Sequence, residues 1–251
     1  MPQSDGKRVS RDQYDAALFD LDGVVTDTAS VHATCWKQMF DEYLRKRASQ
    51  RGEAFRPFDL DTDYRLYVDG KPRFDGVRDF LASRSIQLPE GSPDDPADIE
   101  TVCGLGNHKD DLVNNVIADV GVKTYEGTVR FIHQLRRYEF RIAVVTSSQN
   151  CTAVLRAAKL DDLFDVQVDG NTIHAQHLAG KPAPDTFLLA ARLLGVEPTR
   201  AVVIEDAISG VQAGVKGKFG LVIGIARKGN TEELKHHGAH LVVDDLAELL
   251  D

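Results

Sequence analysis

Four short runs, Ala16-Ala17-Leu18-Phe19, Ile142-Ala143-Val144-Val145, Ala201-Val202-Val203-Ile204 and Leu221-Val222-Ile223, are apolar throughout, with no polar alternation. A strand with one wet face alternates, so unbroken runs of this length fit strands covered on both faces, as in a parallel sheet. Between them, Val129 to Tyr138, Thr152 to Leu160 and Asp185 to Leu194 carry helical spacing, illustrated by Phe187, Ala190, Ala191 and Leu194. Repeated β-α units over the second half of the chain predict an α/β fold with a doubly wound parallel sheet.

The first run ends at Asp20, yet the next strand of the sheet begins near Arg141. A simple crossover needs only about a dozen residues, so something is inserted. Helix-like stretches at Ala33 to Arg47, Asp75 to Ser83 and near Asp110 to Asp119 make the insertion mainly helical. The expected division is a Rossmann-like core of residues 1–29 and 122–251 and a helical cap of residues 30–121. Its connections, near Asp27 to Ser30 and Gly121 to Gly127, would act as a hinge. Leu88 to Asp98, with three of the nine prolines, reads as a surface loop, and Arg45 to Asp61 as an added loop or helix extension.

Composition narrows the function classes. With 42% hydrophobic and 27% charged residues among 251, the chain is globular rather than collagenous, coiled-coil or disordered. A net charge of −9 argues against a phosphate-backbone binder, and the basic run Arg45 to Arg47 reads as the solvated end of a helix. Cys35, Cys103 and Cys151 lie far apart and form no CxxC pair, which speaks against a disulfide framework or zinc knuckle and fits a reducing cytoplasm. No stretch approaches the roughly 18 apolar residues of a membrane span, and the amino terminus lacks a signal-peptide core. The expectation is a cytoplasmic monomer acting on small molecules, with neither nucleic acid nor membrane as partner.

Three apolar runs end in polar residues at the same relative place: Asp20 after Phe19, Thr146 after Val145, and Glu205-Asp206 after Ile204. Ligands of open parallel sheets bind beyond the carboxyl ends of the strands, so these groups could converge on one crevice. Taken singly, each could simply be a turn-forming residue. Asp20 and Asp22 flank one residue and precede Gly23, so both carboxylates can face one side. Such a pair can divide labour between nucleophile and general acid/base, with Mg²⁺ suppressing the repulsion between them. The spacing does not fit an EF-hand loop. Gly104-Leu105-Gly106 reads as a cap turn, His174 and His177 as loop residues lacking a third metal ligand, and Cys151 as a small buried thiol.

Phe19-Asp20-Leu21-Asp22-Gly23-Val24-Val25-Thr26-Asp27-Thr28 resembles the first signature of the haloacid dehalogenase superfamily, and Val144 to Ser148 the second. Lys181-Pro182-Ala183-Pro184-Asp185 resembles the third, and Val203 to Ala207 with Gly210 to Gly214 the fourth. The resemblance implies that Asp20 attacks phosphorus and that Asp22 is the acid/base. It also implies that Thr146 and Lys181 hold phosphoryl oxygens and that Asp20, Asp206 and the carbonyl of Asp22 ligate Mg²⁺, with Glu205 supporting or liganding. Within the superfamily, Thr26-Asp27-Thr28-Ala29 with His32 and Trp36 resembles the linker and first cap helix of the β-phosphoglucomutase family. That likeness gives Thr28 a hinge role and His32 a role in coupling cap closure to the acid/base. Gly70-Lys71-Pro72-Arg73 resembles the segment whose arginine grips the distal phosphate of a sugar bisphosphate. Lys109, Ser147 and Asn150 fall where that family contacts substrate, and Trp36 is grouped with them. The implied activity is β-phosphoglucomutase; a sugar-phosphate phosphatase and a non-enzymatic binding module on the same scaffold remain as alternatives.

Overall fold

The computed structural model describes residues 9–227 and 229–251. Two compact units emerge: the chain up to Asp27 together with Val122–Asp251, and Thr28–Gly121.

The first unit is built on six parallel strands, β1 (Ala16–Phe19), β2 (Arg141–Val145), β3 (Val166–Val168), β4 (Ala201–Glu205), β5 (Leu221–Ile225) and β6 (Leu241–Val243), in the order β3-β2-β1-β4-β5-β6. The sheet is doubly wound, as the apolar runs predict. β1 is central, and its Leu18 stands level with Ala143 of β2 and Val203 of β4. All four residues of β1 are fully buried, which explains their unbroken apolar character. Phe187 and Ala190 of the helix Asp185–Leu194 and Val211 of the helix Ile208–Lys216 pack in the same core as Leu18, Val145 and Val203. Each such large side chain, once buried, contributes about 1.5–3 kcal/mol.

The second unit is mainly helical, with helices Ala29–Arg51, Arg73–Ser83 and Val102–Val120 and one π-helical turn, Tyr64–Val68. Its core is aromatic: Phe40 lies 5.3 Å from Trp36, 5.1 Å from Phe58 and 4.1 Å from Phe80 between ring centroids. Within the expected Arg45 to Asp61 extension, the helix continues to Arg51 and ends at a left-handed Gly52. The chain then returns to bury Phe58, whose backbone N–H donates to Asp41 Oδ1 at 2.7 Å.

Two expectations need correction. Gly104-Leu105-Gly106 is not a turn but the first turns of the helix Val102–Val120, capped by Thr101, whose hydroxyl accepts from Gly104 N–H at 2.9 Å. The carbonyl of Ile99 occupies the space a Gly104 side chain would need, so the glycine serves packing. His174 lies in the helix Gly170–Ala175 rather than in a loop. Among the described residues, no helix is long and apolar enough to cross a membrane.

Candidate active site

Strand pairing fixes the central carboxylate. The N–H of Asp20 donates to the carbonyl of Ile204 at 3.0 Å, extending the β1–β4 ladder by one step and bringing Asp20 beside Glu205, the last residue of β4, and Asp206. Asp20, Glu205 and Asp206 each offer an oxygen, and these oxygens lie within 4.8 Å of one another. Two glycines make room for the cluster. Gly23 has φ +92°, and a Cβ on it would stand 2.0 Å from Asp206 Oδ2; a Cβ on Gly210 would stand 1.8 Å from Glu205 Oε1.

Lys181 enters the cluster fully buried. Its Nζ donates to Asp20 Oδ1 at 2.5 Å and to the carbonyl of Val145 at 3.1 Å, and it lies 2.6 Å from Glu205 Oε1. The Lys181 ammonium thus bridges the carboxylates of Asp20 and Glu205. Burial alone would strip the proton from Lys181, but the charges of Asp20 and Glu205 outweigh it and hold the ammonium above its ordinary pKa. Burial pushes the Asp20 carboxyl up; Lys181 opposes that shift, and Glu205 and Asp22 add to it.

Three carboxylates within reach of one another, two of them paired with a buried ammonium, form a hard oxygen donor set of the kind that suits Mg²⁺. Asp22 is not one of the three: Thr146, at the end of β2, donates its hydroxyl to Asp22 Oδ2 at 3.3 Å and accepts from Ser148 N–H at 3.1 Å. Ser147 and Asn150 follow in the same loop, where Ser148 Oγ accepts from Asn150 N–H at 3.1 Å. Cys151 is fully buried there, and burial pushes its thiol pKa up, which marks a packing residue.

The second unit gathers the remaining expected residues into two groups. Lys109 is 4% exposed, 2.7 Å from His32 Nδ1, with its ammonium 5.2 Å from the Trp36 ring. Trp36 is itself 3% exposed and stacked on Phe40, so the structure places it as a packing support for Lys109 rather than as a surface open to a ligand. Thr28, also buried, accepts at its carbonyl from His32 N–H at 2.9 Å. Gly70, left-handed at φ +69°, precedes the second group. There Arg73 pairs through Nη1 with Asp110 Oδ2 at 2.9 Å and donates from Nη2 to Asn107 Oδ1 at 2.8 Å. The expected phosphate clamp is therefore already engaged by an acid and an amide.

Residues 14–217 match the family of haloacid dehalogenase-like hydrolases. The chain belongs to this family. A haloacid dehalogenase-like enzyme, it is 53% identical over 238 residues to a β-phosphoglucomutase of Mycobacterium bovis, covering 94% of this chain and 91% of that one. A β-phosphoglucomutase structure from Clostridium difficile shares the fold, with TM-score 0.72 and 23% identity, over 94% of this chain and 93% of that one. CbbY from Rhodobacter sphaeroides, solved in complex with xylulose 1,5-bisphosphate, matches with TM-score 0.70 and 25% identity, over 94% and 96% of the two chains.

Two residues of this haloacid dehalogenase-like site carried no sequence signal. Thr128 donates its hydroxyl to the carbonyl of Val24 at 2.7 Å, and Arg227 donates from Nε to the carbonyl of Gly23 at 3.2 Å. One is a lone hydroxyl in a helix and the other a basic residue in an ordinary turn, so only the tertiary structure reveals them.

Proposed function

We propose that this chain is an Mg²⁺-dependent mutase interconverting β-D-glucose 1-phosphate and D-glucose 6-phosphate through β-glucose 1,6-bisphosphate. The observation that carries the reading is the 53% identity to a β-phosphoglucomutase along almost the whole of both chains. The buried Asp20 cluster supports the chemistry.

In this reading a carboxylate oxygen of Asp20 attacks phosphorus, the bond from phosphorus to the departing sugar oxygen breaks, and an aspartyl phosphate forms. Asp22 gives its proton to the departing oxygen and takes one from the incoming hydroxyl. The bisphosphate reorients, and its other phosphate returns to Asp20. Lys181 and Thr146 hold the phosphoryl oxygens. Asp20, Glu205, Asp206 and the carbonyl of Asp22 hold Mg²⁺, which when bound supplies positive charge against the phosphoryl group. Arg73 and Lys109, with Gly70, Ser147 and Asn150, take the rest of the sugar phosphate, while His32 and Thr28 couple substrate binding to the acid/base. The three free, buried cysteines suit a reducing cytoplasm, and a monomer suffices for the chemistry.

A sugar-phosphate phosphatase is the second reading, favoured by the hydrolase chemistry of the family. It differs only in letting water take the phosphoryl group from Asp20. Incubation with Mg²⁺, β-glucose 1-phosphate and a trace of the bisphosphate separates the two. Glucose 6-phosphate in large excess over inorganic phosphate is the expected result; inorganic phosphate alone would establish the phosphatase. No Mg²⁺-dependent turnover of that substrate or of p-nitrophenyl phosphate would leave a binding module.

A further inference from the structure

The turn that follows β1 is held from outside at two successive carbonyls, by Thr128 at Val24 and by Arg227 at Gly23. Arg227 sits just beyond β5 and is anchored on three sides. Its Nη1 donates to the carbonyl of Asp244 at 3.1 Å and to Asp245 Oδ2 at 2.8 Å, and its guanidinium carbon lies 3.6 Å from the centre of the Tyr125 ring. Nη2 is buried without an acceptor. A planar fork fixed by an acid, a carbonyl and an aromatic face has little freedom left to swing.

The same stack reaches the other end of the turn. Tyr125 donates its hydroxyl to Asp27 Oδ1 at 3.0 Å and its N–H to the carbonyl of Val25 at 3.0 Å. Gly23, immediately after Asp22, is left-handed and backs directly onto Asp206. The carbonyl that Arg227 holds belongs to the Gly23-Val24 peptide, while the Asp22-Gly23 peptide is held through the Gly23 N–H, which donates to the carbonyl of Thr26 at 2.8 Å. With the peptides on both sides of Gly23 held, the backbone that carries Asp22 has little freedom to turn.

We propose that Arg227 is a positioning residue for Asp22, holding the adjoining Gly23-Val24 peptide so that the carboxylate is presented in one orientation for proton transfer. The role rests on the reading of Asp22 as general acid/base. Arg227 touches no reacting atom; it acts through the Gly23 carbonyl. Its loss should therefore mimic a partial loss of Asp22.

The test uses leaving groups of different demand. Departure of an alkoxide, as from a sugar phosphate, needs a proton, whereas departure of p-nitrophenolate scarcely does. Arg227→Met keeps the apolar stem and removes the fork. With Mg²⁺ present, it should lower kcat on the sugar phosphate by about tenfold or more, with KM and the rate of the first-turnover release of p-nitrophenolate from p-nitrophenyl phosphate changed by less than about threefold. Because the two residues act in series, Asp22→Asn with Arg227→Met should be within about twofold of Asp22→Asn alone. Equal losses on both substrates, or losses that multiply in the double variant, would overturn the proposal. If Asp22→Asn loses activity equally on both leaving groups, the acid/base reading fails and this inference falls with it. If the loss in Asp22→Asn falls mainly on the sugar phosphate and that in Arg227→Met does not, only the inference fails. Circular dichroism checks folding; should Arg227→Met not fold, Arg227→Lys keeps the charge, cannot bond Gly23 and Asp245 together, and carries the same comparison.

Discussion

The ammonium of Lys181 lies 2.5 Å from Asp20 Oδ1, with none of the Lys181 side chain exposed to solvent. The pair is a buried ion pair whose second carboxylate, Glu205, stands 2.6 Å from the same nitrogen. Removing one partner from such a group costs about 3–5 kcal/mol, because the remaining charges stay buried and uncompensated. Lys181→Met should therefore abolish phosphoryl transfer and lower the melting temperature. Added Mg²⁺ should restore more of the melting temperature to this variant than it adds to the wild type. Differential scanning calorimetry with Mg²⁺ or EDTA measures both; an Mg²⁺ effect equal in the two proteins would remove the cation from the cluster.

Thr146 donates its hydroxyl to Asp22 Oδ2 at 3.3 Å, and the Asp22 carboxylate is not among the three that converge. Asp22→Ala should accordingly bind Mg²⁺ and sugar phosphate much as the wild type does while losing about 10²–10⁴ in turnover. Isothermal titration alongside steady-state kinetics separates the effects. A loss of Mg²⁺ affinity matching the loss of rate would give Asp22 a ligand's role in place of a proton's.

A mutase must hold the phosphate that is not reacting, whereas a phosphatase acting on a small phosphodonor need not. Arg73→Ala should therefore impair conversion of β-glucose 1-phosphate severely, by about 2–5 kcal/mol in kcat/KM, and acetyl phosphate hydrolysis much less. Because Arg73 is bound to Asp110 and Asn107, Asp110→Ala should act in the opposite sense and tighten sugar bisphosphate binding. Kinetics on the two substrates give the answer, and equal losses would take Arg73 out of the site.

Away from the site, hydrogen bonds from Arg200, joined by Arg11, hold the Asp15 carboxyl down at about 2 against an ordinary 3.8. A depressed folded-state pKa means stability that is present above the unfolded value and lost as pH falls through the folded one. The stability gap between wild type and Asp15→Asn should thus be constant above pH of about 5 and shrink steadily as the pH falls from about 4 toward 2. Urea unfolding across that range reads it; a gap that widens on acidification would contradict the assignment.

The sheet's centre was legible because β1, β2, β4 and β5 are covered on both faces, leaving short apolar runs of strand length. β3 and β6 were not, being three residues long at the sheet edges, and Gln167 interrupts β3. The convergence of Asp20, Glu205 and Asp206 could be anticipated from strand ends alone, since parallel register carries aligned strand ends to one side. The enclosure of Lys181, the engagement of Arg73 by Asp110 and the reach of Arg227 to Gly23 could not. Each joins residues distant in sequence through side-chain conformations that local pattern does not encode. The stacking of Trp36 on Phe40 was equally illegible, since the motif around it suggested ligand contact and says nothing of its packing.

The placing of β1 at the middle of the sheet sets an order of events during synthesis. β1 leaves the ribosome first, but the strands on its two sides begin only at Arg141 and Ala201, and the whole of Thr28–Gly121 is made in between. That contiguous stretch, with its own aromatic core, can collapse as soon as it emerges, while Ala16 to Phe19 wait unpaired. Asp20 is thus made before the strands that give it its surroundings. A nascent chain that ends before Asp206 carries Asp20 but not the complete carboxylate cluster.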